Sequence, residues 1–280
     1  MPTGFRLYIH CCLLACSGMS LASFAQASAV PTVAAAADLQ FALPEMALAF
    51  ERDSGRKLRL SFGSSGVFAR QILQGAPFEL FFSADEAYVE QLLRAHRTVD
   101  AGKLYALGRL ALFIPNGSPL APGAVSGVLA PGAVSGVLRA DRNLSDLAAA
   151  ARDGRLKHLA IANPEHAPYG RAAREALQRA GVWAALENKL VLGENAAQAA
   201  QFAASGSAQA GILPLALARA PAFAARGAFV TLPETWHAPL RQRMVLIQGA
   251  GATAQLFYAY MQTPAARAML ASHGFAPPEP

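Results

Sequence analysis

The fold is decided by the stretch Ser61-Phe62-Gly63-Ser64-Ser65-Gly66-Val67-Phe68-Ala69-Arg70. The alternating run 57–62 predicts a strand, and the apolar residues at 68, 69, 72 and 73 predict a helix that ends at Gly75. Two serines and two glycines therefore lie where a strand passes into a helix. Because the first amides of a helix have no partner within it and that end is partly positive, the junction is suited to an anion. The alternative is a helix cap only, since serine is a favoured N-cap residue.

Similar junctions precede and follow this stretch. The apolar run 32–36 predicts a buried strand, and Asp38 then predicts the N-cap of a helix that ends near Gly55. A third strand is predicted over 77–84, with Asp85 as the cap of the next helix. Three successive strand–helix units predict a parallel sheet with right-handed crossovers.

A second series of strand–helix units follows a long strand predicted over 105–114. Its strands are predicted at 158–162, 190–192 and 209–213, and a last strand is predicted at 244–247. We therefore expect two α/β lobes joined at the long strand and again late in the chain. A ligand would lie between them, at the strand ends. The expected lobes are 30–111 with about 232–280, and about 112–231.

The nine residues 121–129 are repeated identically as 130–138. Two copies are too few for a solenoid, which needs at least three stacked repeats. Because a longer loop costs little more to close, we interpret this duplicated loop, 121–138, as an insertion tolerated on the surface. No function is predicted for it.

Residues 1–27 have the features of a secretory signal peptide. Arg6 precedes an apolar run, and Ala25-Gln26-Ala27 matches a cleavage site. The expected location is the periplasm, with a lipoprotein anchor at Cys16 as the alternative. All 3 cysteines lie in this segment, so the processed chain has no thiol chemistry and relies on core packing.

The charge of the chain excludes a nucleic-acid surface. The net charge is +6, and +5 without Arg6, with the basic residues scattered rather than clustered. Such a balance gives weak attraction for small anions at most.

Several short motifs have a specific order and spacing along the chain: 35–39, 61–66, 74–77, 80–85, 163–170, 193–195 and 274–275. In that order and spacing they resemble those of the periplasmic molybdate-binding proteins of ABC importers. The resemblance covers about residues 33–275. It implies the two-lobed periplasmic binding protein type II fold, an α/β fold with mostly parallel sheets, helices on both faces and a ligand cleft between lobes. It further implies a monomer that captures molybdate or tungstate for an inner-membrane ABC permease, with no enzymatic activity and no cofactor besides the ligand.

In that family, hydroxyls and backbone amides at helix starts hold the oxyanion without a balancing cation. Carried over by position, Ser65 matches a hydroxyl and amide donor, and Ala196 matches an amide donor. Ser64 and Gly66 flank the first donor and shape its loop. Tyr169 falls on the donor position of the proline turn. The metal implied is molybdenum, as the oxyanion held by these residues and Asp38.

Two positions depart from the family pattern. Pro214 stands where some members have a tyrosine, which the phenol of Tyr169 could replace; otherwise Tyr169 is a rim aromatic stacked on Pro168. Asp38 stands where many members have serine or asparagine. We expect it to cap its own helix while its amide binds the anion. Alternatively it is protonated, or it accepts a proton from a protonated oxyanion, which would favour hydrogen phosphate over molybdate.

Other functions remain as alternatives. One is a binding protein for another oxyanion, such as phosphate or sulfate; another is a periplasmic sensor domain without transport. A secreted hydrolase with Ser64 or Ser65 as nucleophile would need an oriented base. No Gly-x-Ser-x-Gly motif is present, and four histidines outside the proline turn show no partner spacing. His166 beside Glu165 suggests a metal site only weakly, because no second ligand pair accompanies them.

Overall fold

The computed structural model describes residues 1, 30–121 and 144–278. The predicted signal peptide, its lipoprotein alternative at Cys16 and nearly all of the duplicated loop lie outside these residues. Within the described part, no helix has both the length and the apolar character needed to cross a membrane.

Strands and helices alternate along the described chain. The strands are β1 (Thr32–Ala36), β2 (Arg59–Gly63), β3 (Leu80–Ser83), β4 (Lys103–Gly108), β5 (Leu110–Pro115), β6 (Leu159–Ala162), β7 (Leu190–Gly193), β8 (Ala210–Pro214), β9 (Gly227–Thr231) and β10 (Leu240–Leu246). The helices are α1 (Ala42–Ser54), α2 (Ser65–Leu73), α3 (Glu86–Arg94), α4 (Ser145–Arg152), α5 (Pro168–Arg179), α6 (Trp183–Leu186), α7 (Ala196–Ala204), α8 (Leu215–Arg219), α9 (Pro221–Ala224), α10 (Ala252–Tyr260) and α11 (Pro264–Ser272).

The strands form two five-stranded sheets with the same internal pattern. The first sheet has the order β2-β1-β3-β10-β4, and the second has the order β7-β6-β8-β5-β9. In each sheet three strands are parallel, and the remaining two pairings are antiparallel. The expected two-lobed α/β fold is confirmed, but the sheets are mixed rather than mostly parallel. The lobe built on the first sheet is called lobe 1, and the other lobe 2.

The chain crosses between the lobes at Arg109 and returns between β9 and β10. The long strand predicted over 105–114 is therefore two strands, one in each sheet. The break follows Gly108, where a Cβ atom would lie 2.4 Å from the Tyr169 hydroxyl. Because β5 starts at Leu110, lobe 2 begins earlier in the chain than the expected boundary at 111.

The two lobes have cores of different composition. Lobe 1 packs aromatic rings: Phe82 lies with its ring centroid 5.4 Å from Tyr105 and 6.1 Å from Phe257. Lobe 2 packs alanines, five of them buried on α7 alone. Such small side chains let a helix approach its sheet closely. Close packing of aromatic rings in lobe 1 and of alanines in lobe 2 therefore holds the helix starts against the strand ends, where the candidate site lies.

Candidate functional site

A small cavity lies between the lobes, at the carboxyl ends of β1, β2 and β3 and at the starts of α5 and α7. Its volume is about 10 Å³, the space of roughly one water molecule. Among the described residues, none of those lining it is Lys, Arg or His. The lining residues are Ala36, Ala37, Asp38, Gly63, Ser64, Ser65, Ala84, Ala167, Pro168, Tyr169 and Ala196. All the site residues expected from the sequence meet here except Gly66, which follows Ser65 directly.

Three helices start at this cavity. They are α2, α5 and α7, and the first amides of a helix have no partner within it. Among the described residues, the amides of Ser65, Tyr169 and Ala196 have no hydrogen-bond partner. Their N–H groups and the positive helix ends together create a favourable environment for an anion without any cationic side chain.

Ser65 also has a hydroxyl hydrogen available. The residue is 1% exposed, and its Oγ accepts a hydrogen bond from the Ala84 amide at 3.0 Å. That bond fixes the oxygen and leaves its proton for another acceptor. Ser64 occupies the N-cap of α2, as the cap alternative expects, but its side chain makes no cap hydrogen bond.

Ser64 and Gly66 contact the opposite lobe. The main-chain oxygen of His166 accepts from Ser64 Oγ at 2.5 Å, from the Gly66 amide at 3.1 Å and from the Tyr88 hydroxyl at 3.3 Å. The three donors belong to lobe 1 and the acceptor to lobe 2. This set, called the clamp below, closes the lobes over the cavity. Arg171 of lobe 2 forms an ion pair with Asp85 of lobe 1 next to it.

The His166 ring makes an arrangement that sequence reasoning missed. Its Nδ1 lies 3.1 Å from Ser64 Oγ, and its Nε2 lies 3.4 Å from Glu194 Oε2. Serine, imidazole and carboxylate thus stand in the order found in hydrolases. However, the Ser64 hydroxyl donates to a main-chain oxygen at 2.5 Å, and that oxygen is no base. Nothing beside either residue in the sequence indicates this contact, because Ser64 and His166 are 102 positions apart.

Asp38 does not cap its helix, and that expectation is wrong. It lies in a 3-10 turn, Ala37–Leu39, and α1 begins later, at Ala42, with no side-chain cap. Its Oδ2 instead accepts from Gln242 Nε2 of β10 at 2.6 Å. The side chain is therefore directed at β10, a strand of its own lobe, and it is 2% exposed.

The same amide nitrogen binds Tyr169. Gln242 Nε2 donates to the Tyr169 hydroxyl at 2.9 Å, and the tyrosine is 3% exposed. The alternative of a rim aromatic is therefore wrong. Gln242 was missed because the last strand was predicted only from 244. Gln242 lies two residues from apolar Leu240 and from apolar Met244, so all three share one face of the strand. That spacing was the available indication that Gln242 faces inward.

Burial controls the ionisation of these groups. It raises the pKa of Asp38 from 3.8 to about 6, although hydrogen bonding to Gln242 and Tyr169 acts in the opposite direction. Burial and the neighbouring Asp38 carboxyl raise the pKa values of Tyr169 and Tyr105 well above the usual 10. Both tyrosines are thus protonated at neutral pH.

In lobe 2, side chains at the start of α7 accept hydrogen bonds from main-chain amides of the same turn. Asn195 Oδ1 accepts from the Gln198 amide at 3.1 Å, and Gln198 Oε1 accepts from the Glu194 amide at 2.6 Å. Because these contacts satisfy neighbouring amides, the Ala196 amide is left directed toward the cavity that Ala196 lines.

Comparisons with known proteins agree with this geometry. The family model of the bacterial extracellular solute-binding proteins matches residues 31–276. A molybdate-binding protein of Azotobacter vinelandii is 32% identical over 266 residues, which cover 94% of this chain and 96% of the relative. One of Escherichia coli strain K12 is 30% identical, with 87% and 88% covered. The solved structure of an Azotobacter vinelandii periplasmic molybdate-binding protein superposes with a TM-score of 0.75 at 27% identity, covering 89% of this chain and 100% of that one.

Proposed function

The chain belongs to the bacterial extracellular solute-binding proteins, and from this premise we propose that it captures molybdate or tungstate in the periplasm for an ABC permease. The observation that carries the proposal is the cavity between the lobes. It combines a buried serine hydroxyl with free amides from three helix starts, and no basic side chain lines it among the described residues. The names of the relatives specify molybdate.

Neutral, fixed donors suit a small dianion. Hydrogen bonds to a charged acceptor are about twice as strong as neutral ones, and donors held by helices need no reordering on binding. A tetrahedral oxyanion presents four oxygens, so donors converging from both lobes can reach it together. Molybdate and tungstate are nearly alike in size and charge, so such a site accepts both.

The clamp explains how binding is communicated. An oxyanion held by Ser65 of lobe 1 and Ala196 of lobe 2 favours the arrangement in which the lobes are closed. Closure of two lobes around a ligand is a known way to present a new surface to a partner. Here that partner is the permease, and the protein acts as a monomeric carrier rather than an enzyme.

The experiment is calorimetric titration of the processed protein with molybdate, tungstate, sulfate and phosphate. We expect tight one-to-one binding of the first two and much weaker binding of the others. Ser65→Ala should weaken binding. Ser118→Ala is the matched control, because Ser118 is also a buried serine but donates to Gln209 far from the cavity. Tighter binding of sulfate or phosphate would mean that the protein captures that anion instead of molybdate. No measurable binding of any of the four anions would refute oxyanion capture.

A second candidate function, ester hydrolysis, is favoured only by the contact among Ser64, His166 and Glu194. We expect no turnover of a small activated ester above the background rate. Turnover that disappears in Ser64→Ala would support the hydrolase instead.

A further inference from the structure

One carboxylate in the cavity lacks a donor for one of its oxygens. Asp38 lines the cavity and is 2% exposed; its Oδ2 binds Gln242, but Oδ1 has no hydrogen-bond partner among the described residues. The Oε1 atom of Gln242 is also buried without a donor. The Tyr169 hydroxyl, which hydrogen-bonds to the Asp38 carboxyl, supplies one further hydrogen for these two acceptors. Buried acceptors are nearly always paired, so the cluster is one donor short.

The shortage of hydrogen-bond donors around Asp38 matters most when an anion enters the cavity. An ionised carboxylate only accepts hydrogen bonds, and a fully ionised oxyanion also only accepts them. Side by side they repel, and no hydrogen bond can join them. A proton on Asp38 removes the charge and turns the acceptor into a donor.

We propose that Asp38 binds the oxyanion as a neutral carboxylic acid, so that each molybdate ion is captured together with one proton. The proton comes from the solvent and stays on the carboxyl group, whose O–H donates to an oxygen of the anion. This inference rests on the function proposed above and adds a specificity-determining residue to its site.

No cation on the surrounding elements offsets the charge of Asp38 among the described residues. Tyr169 faces it from α5, Tyr105 from β4 and Gln242 from β10. The sequence of α7 has no ionisable residue. The charged residues of α8 and β2, Arg219 and Arg59, are exposed.

Two arginines and a histidine near the lobe interface have acidic partners. Arg109 lies 2.6 Å from Glu234, His166 lies 3.4 Å from Glu194, and Arg171 pairs with Asp85. A proton is thus the available means of neutralising Asp38.

The sign of the pH dependence follows from the two states of the protein. Burial raises the pKa of Asp38 to about 6 without ligand, and a neighbouring dianion raises it further. Above about pH 6 the free protein therefore has an ionised Asp38, and binding takes up a proton. Affinity should fall roughly tenfold per pH unit above that value. Tyr169 and Tyr105 do not titrate in this range, because burial raises both pKa values well above 10.

The test is calorimetry of the processed protein with molybdate between about pH 6.5 and pH 9. Each titration is repeated in two buffers of different ionisation enthalpy, which gives the number of protons taken up. We expect about one proton per molybdate near pH 8 and a tenfold loss of affinity per pH unit. Asp38→Asn keeps a donor that does not titrate, so its affinity should be independent of pH, with no proton uptake.

The control is Asp153→Asn, which removes a surface carboxylate paired with Arg155 and should keep the wild-type slope. Wild-type affinity that is tight but independent of pH, without proton uptake, would overturn the role of Asp38 and leave the proposed function standing. A slope that persists in Asp38→Asn would also overturn it. Absence of molybdate and tungstate binding at every pH would refute the proposed function itself. If the variant fails to fold, the proton count of the wild type decides.

Discussion

The two lobes have the same sheet pattern but bring different groups to the cavity. Lobe 1 provides side chains, the Ser65 hydroxyl and the Asp38 carboxyl, at the ends of neighbouring strands. Lobe 2 provides main-chain amides of Tyr169 and Ala196, while Asn195 caps its own helix. One topology can therefore supply either kind of donor. Side-chain donors are visible in a sequence, whereas amide donors become visible only when the fold positions a helix start.

Gly170→Ala tests the contribution of lobe 2, because it disturbs the main chain that positions the amides of this lobe. A Cβ at Gly170 would lie 2.2 Å from the main-chain oxygen of Ala162 and 2.7 Å from the Asn163 carbonyl carbon. Main chain cannot move aside easily, so we expect about 3 kcal/mol or more of lost unfolding free energy. Urea unfolding of the ligand-free protein measures it. A loss below about 1 kcal/mol would mean that α5 is not held tightly on β6.

Ser65→Ala removes the hydroxyl donor of lobe 1. A hydrogen bond to a charged group contributes about 1.5–3 kcal/mol, and affinity should fall by that amount. A smaller loss of stability is also expected, because the Ala84 amide loses its acceptor. Calorimetry and unfolding separate the two effects. Unchanged affinity would mean that the Ser65 hydroxyl does not bind the anion, and Asp38 would then be the side chain that lobe 1 provides.

Gly66→Ala tests the contact between the lobes. The new Cβ would lie 2.6 Å from the His166 main-chain oxygen, across the cleft. The clash with His166 exists only in the closed arrangement, and a second one, 2.8 Å from the Tyr88 hydroxyl of lobe 1, involves the end of a side chain that can rotate away. We therefore expect about 1–3 kcal/mol of lost binding free energy with a smaller change in ligand-free stability. The opposite result, lost stability with normal affinity, would place the clash within lobe 1. Gly170→Ala is the matched substitution in the other lobe.

Asn195→Ala should have the smallest effect. Loss of an N-cap costs about 1 kcal/mol of stability, because the Gln198 amide loses its acceptor. Affinity should change less than in Ser65→Ala, since the Ala196 amide remains. A larger loss of affinity than of stability would show that Asn195 contacts the ligand, and lobe 2 would then also provide a side chain.

The strand–helix junctions were predictable because their pattern is local. The handover from β2 to α2 at Ser64 and Ser65 is confirmed, as is the N-cap of α3 by Asp85. Alternation and helical spacing act over a few residues, and the turn residues lie beside them. The same local pattern misplaced the start of α1, because a 3-10 turn intervenes before Ala42.

The polar contacts around Asp38 were not predictable. Its partner Gln242 is 204 positions away in sequence, and nothing near either residue specifies the pairing. Propensity favoured a cap, but the buried amide of β10 was in reach and the helix start was not. The division of the long strand at Gly108 has the same origin, since the tyrosine that packs there comes from α5.

The clamp has a consequence for how this protein can change over generations. Its acceptor is a main-chain oxygen, an atom that every amino acid supplies. Replacement of His166 would thus remove the imidazole contacts but leave the acceptor in place. Positions 64 and 66 lack that freedom, because one must keep a hydroxyl and the other must stay without a side chain. The contacts that close the lobes can therefore be retained in evolution even if the amino acid at position 166 changes.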